Sequence, residues 1–280
     1  MPNLVNTLAK DLVELQTFLK NHPRLVLLTG AGISAGSGIP TYRDAAGVWR
    51  VSEPIKHQEF ITDSTKRQRY WARSLRGWPA VHDAKPNEAH LALATLERGG
   101  HVEMLITQNV DRLHQRAGSA QVVDLHGRLD QVVCLNCNGE FSRESIQQTL
   151  TRENPGASAG PLQIRPDGDS DVRQQIVDNF RVPACTECNG VLMPDVVFFG
   201  GTVPRDRVEK CMRAIDRSDA LLVIGSSLKV YSGFRFCKRA AAINKPIALI
   251  NSGATRADSI ATLRLSSECG PLLSALLSPR

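Results

Sequence analysis

Short apolar runs that stop abruptly at small or polar residues recur along this chain. Residues 25–28 (Leu-Val-Leu-Leu) run into Thr29-Gly30, and 102–106 into Thr107-Gln108-Asn109. Residues 220–224 run into Gly225-Ser226-Ser227, and 247–250 into Asn251-Ser252-Gly253. Runs this brief, rich in Val, Ile and Leu, have the character of strands covered on both faces of a parallel sheet. Helical patterns lie between them at 86–98 and 205–217. Leu8, Leu12, Leu15 and Leu19 recur at helical spacing with Asp11 and Glu14 between them, which predicts an amphipathic N-terminal helix. The alternation predicts an α/β fold, a Rossmann-like parallel sheet with both faces covered. Ligands of such sheets sit at the carboxyl ends of the strands, where the small and polar residues collect here.

Two regions break the alternation. Residues 48–85 carry Trp49, Trp71 and Trp78 among many charges and read as helical and irregular. Residues 134–193 hold two C-x-x-C pairs, separated by the turn-forming stretches 155–161 and 166–169, which predict an exposed, mobile insertion. The expected organisation is a sheet domain of 1–47, 100–133 and 194–280. A smaller domain joins a helical part, 48–99, to a cysteine-bearing module, 134–193.

Composition narrows the class. Hydrophobic residues make up 42% and charged residues 22% of 280, as in an ordinary globular protein. No stretch approaches the roughly 18 consecutive apolar residues of a membrane span. The first arginine is Arg24, and neither a secretory nor a transit pattern is visible, so a cytoplasmic protein is expected. Net charge is +6, but the cations are scattered among acids, and aromatics are 5%. A mixed solvated surface is therefore expected rather than direct nucleic-acid binding. Seven cysteines, an odd number, argue against a disulfide framework.

Gly30-Ala31-Gly32-Ile33-Ser34-Ala35 fits G-x-G-x-x-A directly after a strand. Glycines there allow backbone to approach a pyrophosphate, although the pattern alone also fits an ordinary strand-to-helix turn. A dehydrogenase would continue into a long helix and a second strand ending in an acid. Here 37–44 (Ser-Gly-Ile-Pro-Thr-Tyr-Arg-Asp) follows, and Pro40 with its neighbouring glycines predicts an extended loop. Thr41, Tyr42 and Arg43 on that loop suit a dinucleotide, Arg43 for phosphate and Tyr42 for stacking. Chemistry at a ribose is thus favoured over hydride transfer. The polar stretch 107–114 ends another strand, and its Gln108, Asn109 and Asp111 can bond ribose hydroxyls and a carboxamide, or cap a helix. His126 stands at a strand end beside Gly127, where substrate can reach it and where it can titrate near neutrality.

Cys134-x-x-Cys137 and Cys185-x-x-Cys188 provide four thiolates in two knuckles, the ligand set of a tetrahedral zinc. The 47 residues between the pairs make the metal a fastener for a long loop. Four thiolates leave no open coordination position, so this zinc is read as structural.

As an ordered set, these motifs resemble the sirtuin family of NAD-dependent protein deacylases. The resemblance is carried by 30–34, 37–43, 107–114, His126-Gly127, the four cysteines, 194–200 (Pro-Asp-Val-Val-Phe-Phe-Gly) and 225–228 (Gly-Ser-Ser-Leu). Residues 69–73, 77–79 and 225–233 resemble the class II branch that includes mitochondrial sirtuin 4. A bacterial source fits this branch. The resemblance implies NAD as co-substrate and one structural zinc. Gly30, Ala31, Gly32, Ile33, Ser34, Thr41, Tyr42 and Arg43 would bind and cover NAD. Gln108 would contact the ribose, Asn109 and Asp111 would position the nicotinamide, and His126 would be the general base. Gly225, Ser226 and Ser227 would hold the adenosine-side ribose and phosphate, with Asn251 at the next strand end and Cys269 near the adenine. The acyl oxygen would attack the ribose carbon, releasing nicotinamide and then O-acyl-ADP-ribose and free lysine. An acylated-lysine peptide would add as a strand between 196–200, including Val196 and Phe198, and 227–230. Tyr70-x-x-Arg73 is similar to the pair that reads acidic acyl chains, although Tyr70 could equally pack and Arg73 be solvated. Gly201 stands where the family commonly has an acid, and Thr41-Tyr42 replaces the commoner Asp-Phe.

A monomer is expected, without direct nucleic-acid or membrane partners. Transfer of ADP-ribose to a protein would use the same site and remains open beside deacylation. A zinc-bearing nucleic-acid module would leave the glycine and polar loops unexplained.

Overall fold

The N-terminal apolar stripe forms α1 (Pro2–Asn21), which buries Leu15 and Phe18 and leads through Pro23 into β1 (Leu25–Thr29), buried along its whole length. The computed structural model describes residues 2–41, 54–158 and 172–277. After β1 come a single turn, α2 (Ala31–Ser34), and a short 3-10 turn. Among the described residues, as far as Thr41, no long helix follows, in line with Pro40 and its neighbouring glycines. The next helices are α3 (His57–Thr62), α4 (Ser64–Asp83) and α5 (Glu88–Arg98). Asp63 caps α4 by accepting from the amides of Thr65 (2.8 Å) and Lys66 (3.1 Å). The chain continues through β2 (Val102–Thr107), α6 (Leu113–Arg116), β3 (Val122–Asp124), β4 (Gly127–Cys134), β5 (Glu140–Ser142), α7 (Arg143–Glu153) and α8 (Gln174–Asp178). It closes with β6 (Leu192–Val196), α9 (Arg205–Arg217), β7 (Ala220–Ile224), α10 (Tyr231–Ala242), β8 (Ile247–Ile250), β9 (Leu263–Leu265) and α11 (Cys269–Leu277).

Six strands pair in the order β3-β2-β1-β7-β8-β9, all parallel. This is the doubly wound arrangement: the chain works outward from β1 to one edge, then returns to the other side of β1 with β7. Period-two alternation sends Val26 and Leu28 to one face, with Cys211, Ala214 and Ile215 of α9 and Phe236, Cys237 and Ala240 of α10. Leu25 and Leu27 face the other side, against α1, α5 and Leu272 and Leu273 of α11. Cys211 and Cys237 are core thiols, and burial pushes both up to about 12.

The second, three-stranded sheet has the order β5-β4-β6 and is antiparallel. Its core joins Trp71 and Leu75 of α4 to Val132, Leu150, Val177 and Leu192. Arg143 of α7 is fully buried, with its guanidinium 4.8 Å from the Trp78 ring centroid and 5.5 Å from that of Trp71. It donates to the carbonyl (3.3 Å) and hydroxyl (3.1 Å) oxygens of Ser74, which fastens the cysteine-bearing part to the helical part. Burial lowers its pKa to about 10, so it remains a cation.

The expected limits at 133/134 and 193/194 fall inside β4 and β6. These two strands pair with each other, so both belong whole to the small sheet. Residues 42–53 and part of the stretch between the cysteine pairs, 159–171, lie outside the described residues, and with them Tyr42, Arg43, Trp49 and most of the expected mobile insertion. Among the described residues no helix is long and apolar enough to cross a membrane.

Candidate active site

The strand order reverses between β1 and β7, and the loops leaving their carboxyl ends diverge there to open a crevice. The two loops touch first. The Gly32 amide donates to the Gly225 carbonyl at 2.8 Å, and a Cβ on Gly32 would stand 2.8 Å from that oxygen and from the Gly225 Cα. Gly225 has φ +61°, and a side chain there would meet the Ile33 amide nitrogen at 2.5 Å. Both positions therefore require glycine, for close backbone approach and for a left-handed turn.

Beyond this contact lies a cavity of about 1480 Å³. Its lining includes Gly30, Ala31, Gly32, Ile33, Ser34 and Thr41 from the first loop, and Gln108, Asn109 and Asp111 from the end of β2. Gly225, Ser226 and Ser227 after β7, Asn251 after β8 and Cys269 at the start of α11 line it as well. His126, Tyr70, Val196 and Phe198 complete the set. These residues are far apart along the chain; the parallel sheet delivers the residues at its strand ends to one end, and α4 and the small sheet bring Tyr70, Val196 and Phe198 to it.

Hydrogen bonds weave the loops together. Gln108 Nε2 donates to the Thr29 carbonyl (3.2 Å) and to Ser226 Oγ (2.8 Å). Asn109 Nδ2 donates to the Gly30 carbonyl (3.1 Å) and Ser34 Oγ (3.0 Å), and Ser34 Oγ donates to Asp111 Oδ2 (2.7 Å). Asp111 Oδ1 accepts the Leu113 amide at 2.9 Å. Burial raises the Asp111 pKa, an effect opposed by those two donors. From behind, Asn87 caps α5 and donates to the Ile33 carbonyl (2.7 Å) and Ser37 Oγ (3.0 Å).

His126 lies against this network. Its Nδ1 stands 2.9 Å from the Gln108 carbonyl oxygen, which can only accept, so Nδ1 carries the proton. Nε2 is then the bare nitrogen, and the Ser232 hydroxyl, 2.8 Å away on the first turn of α10, donates to it. Burial lowers the His126 pKa. The bond to Gln108 opposes that effect, and the Arg207 and Arg235 cations add to it. The imidazole is thus held neutral, in one tautomer, with its Nε2 lone pair on Ser232 at the cavity lining.

Two sequence-predicted residues divide. Tyr70 lines the cavity but is packed edge-on against Phe60, Trp71 and Phe198, with centroids 5.3 to 5.4 Å apart. Arg73, one turn on, is buried on α4 and does not reach the cavity lining, so the structure does not bring it to the site. Sequence reasoning missed Ser232 and Arg235. Both lie just past the Gly225-Ser226-Ser227 motif, and nothing in their spacing marks them until α10 is folded back onto His126.

The four cysteines converge at the tip of the small sheet, with ligand atoms within 4.8 Å of one another. Sγ–Sγ separations of 3.5 Å (Cys134–Cys188) and 3.7 Å (Cys137–Cys185) match the roughly 3.8 Å edge of a tetrahedron with 2.3 Å zinc–sulfur bonds. The two knuckles repeat one design: Asn138 and Asn189 each take φ 59° after the second cysteine. A Cβ on Gly190 would press to 2.6 Å from the Asn136 Cβ and 2.8 Å from Cys134 Sγ. The donor set and its spacing fit a structural zinc.

Residues 30–232 match the family model described as the Sir2 family. The chain belongs to the Sir2 family. Among sirtuin relatives, an NAD-dependent protein deacetylase of Xanthomonas campestris pv. campestris is 52% identical over 265 residues, covering 95% of this chain and 90% of the relative. The NAD-dependent protein deacylase Sirt4 of Drosophila melanogaster is 44% identical over 273 residues, with 96% and 88% covered. A solved structure described as Sir2 with p53 peptide and NAD+ superimposes with a TM-score of 0.76 at 30% identity, covering 94% of this chain and 96% of that one.

Proposed function

We propose that this sirtuin is an NAD-dependent protein-lysine deacylase, with His126 as general base. One observation carries the assignment of the base: a neutral imidazole, its Nδ1–H fixed on Gln108 and its Nε2 left as the acceptor beside Ser232, lines the cavity that the glycine loop, Gln108, Asn109 and Ser226 also line. NAD, when bound, supplies an activated ribose carbon that accepts the acyl group as nicotinamide departs.

The chain's own groups do the rest. The amides of the 30–34 loop and the hydroxyls of Ser226 and Ser227 hold the diphosphate and adenosine side, with Asn251 and Cys269 at the far end. Asn109 and Asp111, fixed through Ser34, hold the carboxamide end. His126 takes a proton from a sugar hydroxyl at Nε2. Its Nδ1–H bond to Gln108 persists throughout, which spares the imidazolium that forms from losing a partner. Val196, Phe198 and Tyr70 provide an apolar wall for the acyl chain, and the segments 196–200 and 227–230 flank the peptide as strands. The wall favours acetyl and longer apolar acyl groups, since Arg73 is buried away from it. Thr41 sits on the rim of the same cavity, ahead of Tyr42 and Arg43. Four thiolates at the small sheet hold zinc as a fastener. A monomer in the cytoplasm completes the proposal; four cysteines gathered for a metal and three others outside any disulfide suit a reducing compartment.

The test is mass spectrometry of reactions with NAD and acetyl-, butyryl- and succinyl-lysine peptides, with His126→Tyr as the control. Loss of the acyl mass together with NAD-dependent O-acyl-ADP-ribose is expected for wild type alone. A fully active His126→Tyr protein would remove the base from the mechanism. Retention of ADP-ribose mass on a target protein, without deacylation, would replace deacylation by ADP-ribosyl transfer.

A further inference from the structure

The first two turns of α10 carry an unusual charge arrangement beside the cavity mouth. Tyr231, Phe234, Arg235 and Lys238 fall three and four residues apart and share one helix face. The Tyr231 ring is the hub: the Arg235 guanidinium lies 5.3 Å from its centroid, the Lys238 ammonium 5.9 Å and the Arg256 guanidinium 5.9 Å. Arg256 comes from the connection after β8 and also covers Phe234 at 4.5 Å. It donates to the Lys229 carbonyl at 3.4 Å, which brings a fourth cation, Lys229, to the same rim.

Among the described residues none of these four cations forms an ion pair. The nearby carboxylates are engaged elsewhere: Asp216 with Arg239 at 2.8 Å, and Asp258 with Arg264 at 3.0 Å and the Thr255 hydroxyl at 2.6 Å. Arg235 Nε is buried and makes no hydrogen bond. Four like charges gathered without a counterion repel one another, so an anion beside them is attracted to the rim. The rim also joins the cavity. Lys229, Val230, Tyr231 and Arg235 line it, and Val230 and Tyr231 remain 43% and 50% exposed.

Resting on the proposed deacylase function, we infer that this rim selects acyl-lysine substrates carrying Asp or Glu close to the modified lysine. The cavity admits the acyl-lysine, and 227–230 flanks the peptide, so a peptide leaving the cavity on that side passes over Tyr231. There its carboxylates meet Lys229, Arg235, Lys238 and Arg256, while Val230 covers an apolar neighbour. A nucleic acid is the poorer occupant. It needs free aromatic faces for stacking, and here Tyr231 and Phe234 are already covered by cations.

The experiment compares acetyl-lysine peptides that carry Asp or Asn at each of the four positions on either side of the lysine. It uses the whole zinc-loaded protein at saturating NAD. Asp peptides are expected to exceed their Asn partners about five- to tenfold in kcat/KM at low salt, concentrated on one side of the lysine and carried by KM, because surface charge pairs act on encounter and binding. The gap should close to within about twofold at about 0.5 M sodium chloride, where screening is strong. Lys238→Glu with Arg256→Glu, two residues that do not line the cavity, offsets the charges of Lys229 and Arg235, so it should abolish the preference and leave the Asn peptides within about twofold of wild type. Lys238→Gln with Arg256→Gln guards against a folding defect and, with Lys229 and Arg235 still in place, should reduce the preference without abolishing it. Equal rates for Asp and Asn peptides at low salt would overturn the inference. So would a preference untouched by either double variant, or inhibition by single-stranded oligonucleotide with no peptide preference. Inactivity of wild type on every peptide would instead strike the deacylase function itself.

Discussion

Ser232→Ala removes one hydroxyl and leaves the rest of the site standing. In the folded protein this hydroxyl donates to Nε2 of neutral His126, a bond that the protonated ring cannot accept. The Nδ1–H bond to Gln108 is available to both protonation states, and Arg207 and Arg235 oppose protonation in both proteins. The hydroxyl serves both states, because it rotates to accept from the Nε2–H of the protonated ring. A neutral hydrogen bond is worth about 0.5 to 1.5 kcal/mol net and one to a charged group about 1.5 to 3, so the bond favours the imidazolium by about 1 kcal/mol. At about 1.36 kcal/mol per decade, its loss moves the acid limb of the activity profile downward by about 0.7 pH. The sign follows from the charge: removing the acceptor of the imidazolium makes protonation harder, so activity persists to a lower pH as the solution is acidified.

The assay is kcat/KM for an acetyl-lysine peptide across pH 5 to 9 (about half-unit steps suffice to resolve such a shift) for wild type, Ser232→Ala and Ser232→Thr. Above pH 8 the alanine variant should stay within about twofold of wild type, because the base is neutral in both. The threonine variant restores the hydroxyl and should return the limb. Nicotinamide exchange, which precedes the base's step, should change little. An alanine profile that overlies wild type, or moves toward higher pH, would refute the bond between Ser232 and the protonated ring.

Removal of the metal with a strong chelator, or Cys185→Ala, should release the 55-residue loop from Cys134 to Cys188. By loop-closure entropy this costs about 4 kcal/mol, or a fall in Tm of about 10 °C, and the atomic zinc content should drop from about one per chain to none. Differential scanning calorimetry with metal analysis checks both. The His90–His114 pair, with rings 4.8 Å apart, predicts acid lability. Burial lowers His90 from 6.5 to about 4 and His114 well below 6.5, so the unfolded chain binds more protons than the folded one across that interval. Stability should be complete above pH 6.5 and decline as pH falls toward 4, by about 3 kcal/mol for His90 alone. Urea titrations at a series of pH values read this directly, and His90→Gln should flatten the slope.

The sequence by itself determined the strands, the glycine loop and the zinc ligands, because each is encoded locally. Unbroken apolar runs allow only a strand buried on both faces, as in β1 and β7. Pro40 and the glycines rule out a long helix after α2. A thiolate pair with two residues between its members is already half of a metal site. Tertiary structure alone decided what depends on distant segments meeting. β4 and β6 pair across the whole stretch 135–191, and no local pattern separates them from the large sheet. Arg73 has the spacing of a pocket residue, yet the packing of α4 buries it away from the cavity. Ser232 and Arg235 look like ordinary helix residues until α10 lies against Gln108, where a Cβ on Gly233 would come within 2.6 Å of Oε1. That approach, set by backbone packing between segments far apart in the chain, puts a hydroxyl on the His126 lone pair and a cationic rim beside the cavity.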